Sequence, residues 1–295
     1  MEAVEWERRP KLRRPVLVAA FEGWSDAGDA ASTAAKYPAA AWGARRFDVI
    51  DSEDFYDYTS TRPQVRLVEG GIRQIDWPTN EFAAASLPGG KRDVIFLHGV
   101  EPQLKWKTFC AAVLDVAHSL DAEMALTLGA LLTDTPHSRP VRVTGTATDP
   151  ELGARLGLQR SRYEGPTGIT GVLHDALTRG NIPSASLWAS VPHYVSQVPS
   201  PKATLALVER AAEMLGGSVE VTDLQIAAAA YERSVDERVE ADDEAAAYVR
   251  QLEEAAEEEE RDEEDDAPIE PPDLPSRDAL AAEVERFLRE HRRGD

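Results

Sequence analysis

Short apolar runs separated by helix-length stretches dominate the first 215 residues of the chain. The clearest runs are residues 15–21, 93–98 and 124–128, and each is bounded by glycine or charged residues. A run of this length between turn signals is typical of a strand that is buried on both faces. Such strands, alternating with helices of about 10 to 15 residues, predict an α/β fold with a mainly parallel sheet covered on both sides.

The other elements follow from the same periodicity. Further strands are expected at residues 46–51, 141–144 and 185–191, and helices at residues 26–41, 104–120, 171–178 and 201–215. Two more runs, residues 65–68 and 72–77, are joined through Glu69-Gly70-Gly71, which predicts a hairpin added antiparallel to the sheet. We expect Pro38 to kink or end the first helix, because proline lacks the backbone N–H.

The composition changes after Gly217. Residues 222–233 and 235–256 have helical spacing, the second with one apolar stripe. Residues 257–266 hold nine acidic side chains and one arginine, and this like charge is too strong for the segment to fold alone. Prolines predict an extended linker after it, and Ser276 can begin a last amphipathic helix. The expected organisation is residues 1–217 as an α/β domain, 218–256 as a helical extension, 257–275 as an acidic, proline-rich linker and 276–295 as a C-terminal helix.

The charge excludes several classes of function. The formal net charge is −21, and residues 232–273 alone hold 20 acidic and 4 basic side chains. Nucleic acid and anionic membranes both require a basic surface, so neither is an expected partner. The single cysteine, Cys110, lies on the apolar stripe of its helix and is expected in the core, and no histidine has a metal-binding spacing. We therefore expect a cytoplasmic protein without a bound cofactor or metal.

The loop after the first strand is the first candidate site. It reads Gly23-Trp24-Ser25-Asp26-Ala27-Gly28, and ligands of doubly wound sheets bind where strands end in this way. Its Gly-x-Ser-x-x-Gly spacing is one residue too long for a nucleophile elbow, which argues against a serine nucleophile. Two interpretations stay open: Asp26 or Ser25 caps the helix and Gly28 allows close packing, or Gly23, Trp24, Asp26 and Gly28 form the wall of a binding site.

A second glycine-bearing loop covers residues 165–171, Gly-Pro-Thr-Gly-Ile-Thr-Gly, and opens a predicted helix. Its backbone N–H groups are suited to an anion, with Gly165, Thr167 and Gly168 as contacts. It lacks the lysine of a P-loop, so a purely structural turn is the alternative.

Polar residues at other predicted strand ends form a third group: His98, His137 and His193, with Glu101, Arg139 and Tyr194 nearby. If these side chains gather around one crevice, acid–base chemistry is available there, but three strand ends always supply some polar residues. Trp106, at the start of a helix, is either a core residue or a contact residue.

Five segments occur in a recognisable order between residues 15 and 215: GWSDAG at 23–28, HGVEP at 98–102, LGALLTDTPH at 128–137, GPTGITG at 165–171 and SVPHY at 190–194. The ordered set resembles the proteasome assembly chaperone family of the second-subunit type, in its bacterial branch. The resemblance implies a three-layer α/β/α domain similar in architecture to nucleoside phosphorylases, and self-association, with a trimer as the expected state. It also implies relatives that bind proteasome α-subunits without catalysing a reaction.

Two functions of different class follow. The first is a non-enzymatic protein-binding or assembly-chaperone-like protein, in which an oligomeric body holds a proteasome-related partner and residues 232–295 act as an acidic docking arm. The second is an enzyme or small-ligand binder of nucleoside or amide type with its site at the strand ends. There Arg139 would hold an anion, the 165–171 loop would support it and a histidine would move a proton.

Overall fold

The computed structural model describes residues 4–6, 9–68, 71–158 and 163–265. Its strands are β1 (Val4–Trp6), β2 (Val16–Glu22), β3 (Arg45–Ile50), β4 (Gln64–Val68), β5 (Ile72–Asp76), β6 (Asn80–Ser86), β7 (Asp93–Val100), β8 (Met124–Thr133), β9 (Val143–Ala147) and β10 (Ser184–Pro192). Its α-helices are α1 (Ala30–Ala41), α2 (Trp106–Ser119), α3 (Pro150–Leu156), α4 (Ile169–Arg179), α5 (Pro201–Leu215), α6 (Thr222–Glu240) and α7 (Asp243–Asp265). Short 3-10 turns lie at Ala27–Asp29 and His193–Val195.

Eight of the described strands form one sheet, in the order β1-β3-β6-β7-β2-β8-β10-β9. The four central strands β7, β2, β8 and β10 pair in parallel. Antiparallel pairs add β6, β3 and β1 on one side and β9 on the other. Because β3 is antiparallel to β6, it points the same way as the central four, so five of these eight strands share one direction. The predicted α/β fold with a mainly parallel sheet is confirmed.

Helices cover both faces of the sheet. Successive residues of a strand point to opposite faces. Val18 of β2 and Phe96 of β7 accordingly pack with α1 and α5, whereas Leu17 and Ile95 pack with α2 and α4. Each fully buried side chain of this size contributes about 1.5–3 kcal/mol by leaving water. The three-layer α/β/α arrangement is thus present, and Cys110 is in its core, where burial raises the pKa of the thiol to about 12.

Two helices show how local sequence sets the boundaries. The hydroxyl of Ser200 accepts the N–H of Ala203, Pro201 occupies the first turn, and Gly216 ends α5 in the left-handed region, so α5 spans the residues that the sequence predicts. In α1, Pro38 does not end the helix at once. The helix continues to Ala41, and Trp42 donates its N–H to the Pro38 carbonyl at 2.9 Å.

The hairpin forms, but not as part of the main sheet. β4 and β5 pair with each other in a separate two-stranded sheet, which corrects the prediction that they extend the central one. The large sheet is completed instead by β6, to which the sequence analysis assigns no element. Residues 80–86, Asn-Glu-Phe-Ala-Ala-Ala-Ser, have little strand propensity, and pairing with both β3 and β7 overrides it.

Two further strands and one helix differ from the sequence-based assignment. β1 and α3 were not predicted, and the strand expected at residues 141–144 lies at Val143–Ala147, paired with β10 at the sheet edge. Such short segments carry too few residues for a periodicity to be visible.

The helical extension lies against its own chain as far as Glu253. α6 packs on α5 and buries Leu224 and Val235, and Val249 and Leu252 of α7 are buried as well. The helices part at residues 241–242, not near 234 as predicted, because the Asp242 carboxylate accepts the N–H groups of Glu244 and Ala245 at the start of α7. None of the described helices is long and apolar enough to cross a bilayer.

The acidic run is helical where the structure describes it. α7 continues to Asp265, so most of the segment that was not expected to fold alone is part of a longer helix that begins at Asp243. Glutamate and alanine have high helix propensity, and an ion pair of 3.5 Å joins Arg261 to Glu257 one turn earlier. Residues 254–295 are assigned to a second unit of the chain. The predicted linker beyond 265 and the last helix at 276–295 lie outside the described residues.

Candidate functional site

Glu101 joins two of the predicted site loops. It follows β7, and its Oε2 accepts the backbone N–H of Trp24 at 3.0 Å while its Oε1 accepts that of Ile169 at 2.9 Å. The second N–H belongs to the first turn of α4, where a carboxylate is favoured by the helix dipole. One side chain therefore fixes the loop after β2 against the start of α4.

Two glycines allow these loops to approach. Gly23 has φ +137°, which side-chain-bearing residues rarely adopt, and a Cβ there would lie 3.0 Å from Glu101. A Cβ on Gly168 would lie 2.7 Å from Ser25 Oγ and 2.8 Å from Glu101 Oε1. Larger residues at either position would push the two loops apart.

A cavity of about 900 Å³ opens beside these loops, at the carboxyl ends of β2, β8 and β10. Five predicted site residues line it, namely Gly23, Trp24, Asp26, Gly28 and Thr167. Its other lining residues include Leu131, Leu132, Thr144, Thr146, Tyr163, His174, Ser186 and Trp188, which sequence reasoning did not assign to a site. Six of them sit on strands β8, β9 and β10, where the alternation of the sequence indicated only core and surface positions; Tyr163 is in the loop before α4 and His174 is on α4.

Asp26 has two roles in this wall. Its Oδ1 accepts the N–H groups of Ala31 and Ser32, at 2.7 and 3.0 Å, and so caps α1 as the sequence predicts. Its Oδ2 is buried without a hydrogen-bond partner among the described residues. Burial, with a smaller contribution from Asp29, raises the pKa of the Asp26 carboxyl.

His174 is the counterpart of Asp26 on α4. Its Nδ1 is likewise buried and has no hydrogen-bond partner in the described part of the chain. Burial lowers the pKa of the imidazole, which favours its neutral form. The cavity therefore contains a neutral imidazole and a desolvated carboxyl group.

A separate group of polar side chains surrounds His137, and we call it the His137 cluster: His137, Tyr194, Asp236, Lys202 and Glu232. The Tyr194 hydroxyl accepts the backbone N–H of His137 at 2.8 Å. The same hydroxyl lies 2.7 Å from the ring Nδ1 of His137, to which it can donate its own proton. The Nε2–H is then available to Asp236 Oδ1 at 2.9 Å. Lys202 Nζ donates to the His137 carbonyl at 2.6 Å and pairs with Glu232. The cluster thus fastens α6 to the loop after β8.

His193 extends this group. It pairs with Asp134 at 3.0 Å and makes edge-to-face ring contacts with Tyr194 and with Tyr248 of α7. Burial raises the pKa of Tyr194 to about 12, which keeps its hydroxyl protonated and able to donate. Arg139 lines a narrow cleft beside His137. These residues join the helical extension to the sheet and none of them lines the cavity.

The remaining predicted residues lie elsewhere. His98 is on β7, where burial lowers its pKa and the charges of Glu81, Lys36 and Glu22 have smaller effects on it. Trp106 is partly buried against the core, and its Nε1 donates to the Pro102 carbonyl at 2.5 Å. Gly165 is in the exposed loop before α4. The three histidines therefore do not share one crevice: His137 and His193 both contact Tyr194, and His98 is not in that group.

Within the described residues, no three His, Cys, Asp or Glu side chains are grouped as a metal site requires. The cavity instead combines aromatic and aliphatic walls with hydroxyl, carboxyl and imidazole groups, which suits binding of an organic molecule.

We compared the chain with known protein families and proteins. Residues 20–239 match the model of the PAC2 family. No curated protein matches the chain.

Solved structures give closer comparisons. A PAC2 family protein from Streptomyces avermitilis is 46% identical, with a TM-score of 0.75 over 80% of this chain and 99% of that one. The Mycobacterium tuberculosis proteasome-assembly chaperone homologue Rv2125 is 47% identical, with a TM-score of 0.73 over 79% and 99% of the two chains. Rv2714 of the same organism, a protein of unknown function, is 29% identical with a TM-score of 0.81 over 90% and 92%.

Proposed function

Because the chain belongs to the PAC2 family, we propose that it is a non-enzymatic, assembly-chaperone-like protein of the cytoplasm that binds a proteasome-related protein partner. The proposed active form is an oligomer of the α/β body, with a trimer as the expected state. The acidic helical arm supplies a second contact. The relative named as a proteasome-assembly chaperone homologue supports the choice of partner.

The observation that supports a protein-binding role most is the β4–β5 hairpin. Val65, Leu67 and Ile75 lie on one face of it by the strand register, and each is more than half exposed. Ile72 on the other face is 65% exposed. Contiguous apolar side chains of this kind are typical of surfaces that another protein covers.

The hairpin also has little support within its own chain. Two strands of five residues are marginally stable in water on their own, and among the described strands β4 and β5 pair with each other and with no third strand. The ring of Trp77, next to β5, contacts Tyr58 with centroids 4.8 Å apart and links the hairpin to the body. A partner chain on the apolar face would stabilise the hairpin as well as bind to it.

The described part of the arm, residues 232–265, presents mainly charge. Val235, Val249 and Leu252 are buried within the chain, and among the exposed side chains of residues 232–258 the acidic ones outnumber the basic ones. A partner that binds there would present basic residues. Electrostatic attraction of this kind accelerates encounter more than it adds affinity.

The test combines the protein with proteasome α-subunits of the same organism and measures the molar mass of the products by size-exclusion chromatography with light scattering. We expect a trimer of the chain alone and a larger complex with the α-subunits. The variant Val65→Ser/Leu67→Ser/Ile75→Ser should lose one of these two associations.

A matched control on the other face of the same hairpin is Gln64→Ser/Gln74→Ser, which should leave both masses unchanged. If the apolar-face variant keeps both associations, the hairpin is not a contact surface. If the natural chain forms no complex with the α-subunits, the proposed partner is wrong.

We do not propose catalysis. Neither His98, His137 nor His193 lines the cavity, and Arg139 lies beside His137, so the four residues assigned to an acid–base and anion site are not assembled there. The ligand-binding part of that alternative is treated separately, because the cavity itself favours it.

A further inference from the structure

We propose that the strand-end cavity is a binding site for a small aromatic molecule that is uncharged or cationic and carries a hydrogen-bond donor. This site is distinct from the proposed protein-binding surfaces and does not depend on them. Its existence follows from the size, wall chemistry and charge of the cavity.

The size and the walls fit a ring-bearing molecule. A volume of about 900 Å³ is within the range of small-molecule sites, roughly 300–1,000 Å³. The rings of Trp24, Trp188 and Tyr163 and the side chains of Leu131 and Leu132 provide flat and apolar surface. Trp24 and Leu132 are about half or more exposed, although both are large apolar side chains. Planar rings stack favourably on such walls.

The charge of the walls argues against an anion. Among the described lining residues are two carboxyl groups, Asp26 and Asp29, and no lysine or arginine. The imidazole of His174 is held in its neutral form by burial. A phosphate or carboxylate would meet only repulsion from these charged groups, whereas a cation or an uncharged donor would not.

Unused hydrogen-bonding capacity indicates which groups the ligand needs. Asp26 is 94% buried and its Oδ2 has no partner among the described residues, nor has His174 Nδ1. Buried polar atoms are nearly always hydrogen-bonded in folded proteins, so where the chain supplies no partner, a ligand or an ordered water supplies it. An N–H or O–H group of a ligand would supply the donor that the Asp26 carboxylate lacks.

The experiment is a ligand-observed saturation-transfer NMR screen of the full chain against aromatic fragments of each charge class. It includes a matched series on one ring: tryptamine, tryptophol and indole-3-propionate, which are respectively cationic, neutral and anionic. We expect hits mainly among cationic and neutral fragments, and at least tenfold weaker binding of the anionic member of the series.

Two substitutions locate the hits. Thr146→Phe fills part of the cavity and should abolish binding of the neutral and cationic fragments. Asp26→Asn keeps an acceptor at the helix cap and removes the charge. It should therefore weaken the binding of cationic fragments at least fivefold and the binding of neutral fragments less than twofold. The control Asp121→Asn removes an exposed carboxylate at the other end of the sheet and should change neither.

Each outcome decides the proposal. An absence of hits, a preference for anionic fragments, or hits that persist in both cavity variants would overturn it. Thr146→Phe is interpreted only after circular dichroism shows that it is folded; Asp26→Asn carries the test if it is not. The mass measurements with proteasome subunits do not involve the cavity. A failed ligand screen therefore leaves the proposed assembly role unaffected, and a failed mass measurement leaves the proposed ligand site unaffected.

Discussion

Two groups of polar residues lie at the carboxyl ends of the central strands, and they have opposite environments. The His137 cluster is covered by α6 and α7, and the buried His137 side chain has hydrogen-bond partners at both ring nitrogens. The wall around Asp26 faces a cavity and retains unpartnered polar atoms. Strand ends of the same sheet thus form a structural contact where a helix covers them and a cavity where no described helix does.

The difference explains why histidines were misleading as site markers. A strand-end histidine has the same sequence context whether it is covered or not. His137 is covered by residues about a hundred positions later in the chain, and Asp236 is the partner that completes its hydrogen bonds. Of the two unpartnered groups that line the cavity, Asp26 was identified from the sequence, whereas His174 was not, because it lies within a helix and not at a strand end.

The largest effect should come from removing the centre of the covered group. His137→Ala removes the ring nitrogen to which the Tyr194 hydroxyl donates and the ring N–H that Asp236 accepts, and it creates a cavity, so we expect the free energy of unfolding to fall by about 3 kcal/mol. Urea denaturation measures it. The control His118→Ala, at an exposed position on α2, should change stability by less than about 0.5 kcal/mol. A loss below about 1 kcal/mol at His137 would mean that the cluster does not hold the extension.

A substitution beside the cavity should lower the free energy of unfolding by less, and its effect should be confined to the neighbouring loops. Glu101→Ala removes the acceptor of two backbone N–H groups, and we expect a loss of about 2 kcal/mol, since one of them is solvent-exposed. Hydrogen exchange at the Trp24 and Ile169 amides should become faster. Glu101→Gln keeps one acceptor and should have about half the effect. Unchanged exchange at both amides would show that the wall is held without Glu101.

Tyr194→Phe separates ring packing from hydrogen bonding in the His137 cluster. It keeps the ring contacts with His193 and Tyr248 and removes only the hydroxyl, so the expected loss is about 1 kcal/mol. A double-mutant cycle with His137→Ala should give a coupling energy above about 0.5 kcal/mol. Additive effects would mean that the two side chains act independently, which would weaken the contrast with the cavity wall.

The smallest effect concerns the pH dependence at Asp26. Because its folded-state pKa is raised, this carboxyl group contributes stability that is present below the unfolded pKa and is lost as the pH rises through the folded pKa. The natural chain should therefore gain stability relative to Asp26→Asn as the pH falls from neutral into the acidic range. Thermal unfolding of both proteins across that range measures the difference. A constant difference, or one of opposite sign, would contradict burial as the dominant influence.

Much of the fold could be predicted because buried strands and amphipathic helices have distinct periodicities. The runs that became β2, β7, β8 and β10 were visible as apolar segments, and the α5 caps fixed its length. β6 could not be predicted, because it lacks the apolar periodicity of a buried strand. Its alanines carry no strand signal, and only pairing with both neighbours makes them a strand.

The candidate site could be predicted in part. The loop at residues 23–28 was identified because glycines and a capping acid after a buried strand indicate a strand-end turn, and five of its six residues line the cavity. Trp188, Leu131 and Leu132 could not be found this way. Alternation along a strand separates one face from the other but does not reveal whether a face ends in a helix or in open space.

The sequence by itself determined the fold class, the core and the concentration of acidic charge near the C-terminus, because these depend on local composition and on spacing over a few residues. Only the tertiary structure decided that the hairpin stands apart from the sheet, that Asp236 reaches His137 and that the cavity stays open. Those outcomes depend on contacts between residues that are far apart in the chain, and no local pattern encodes which distant surface will cover a given side chain.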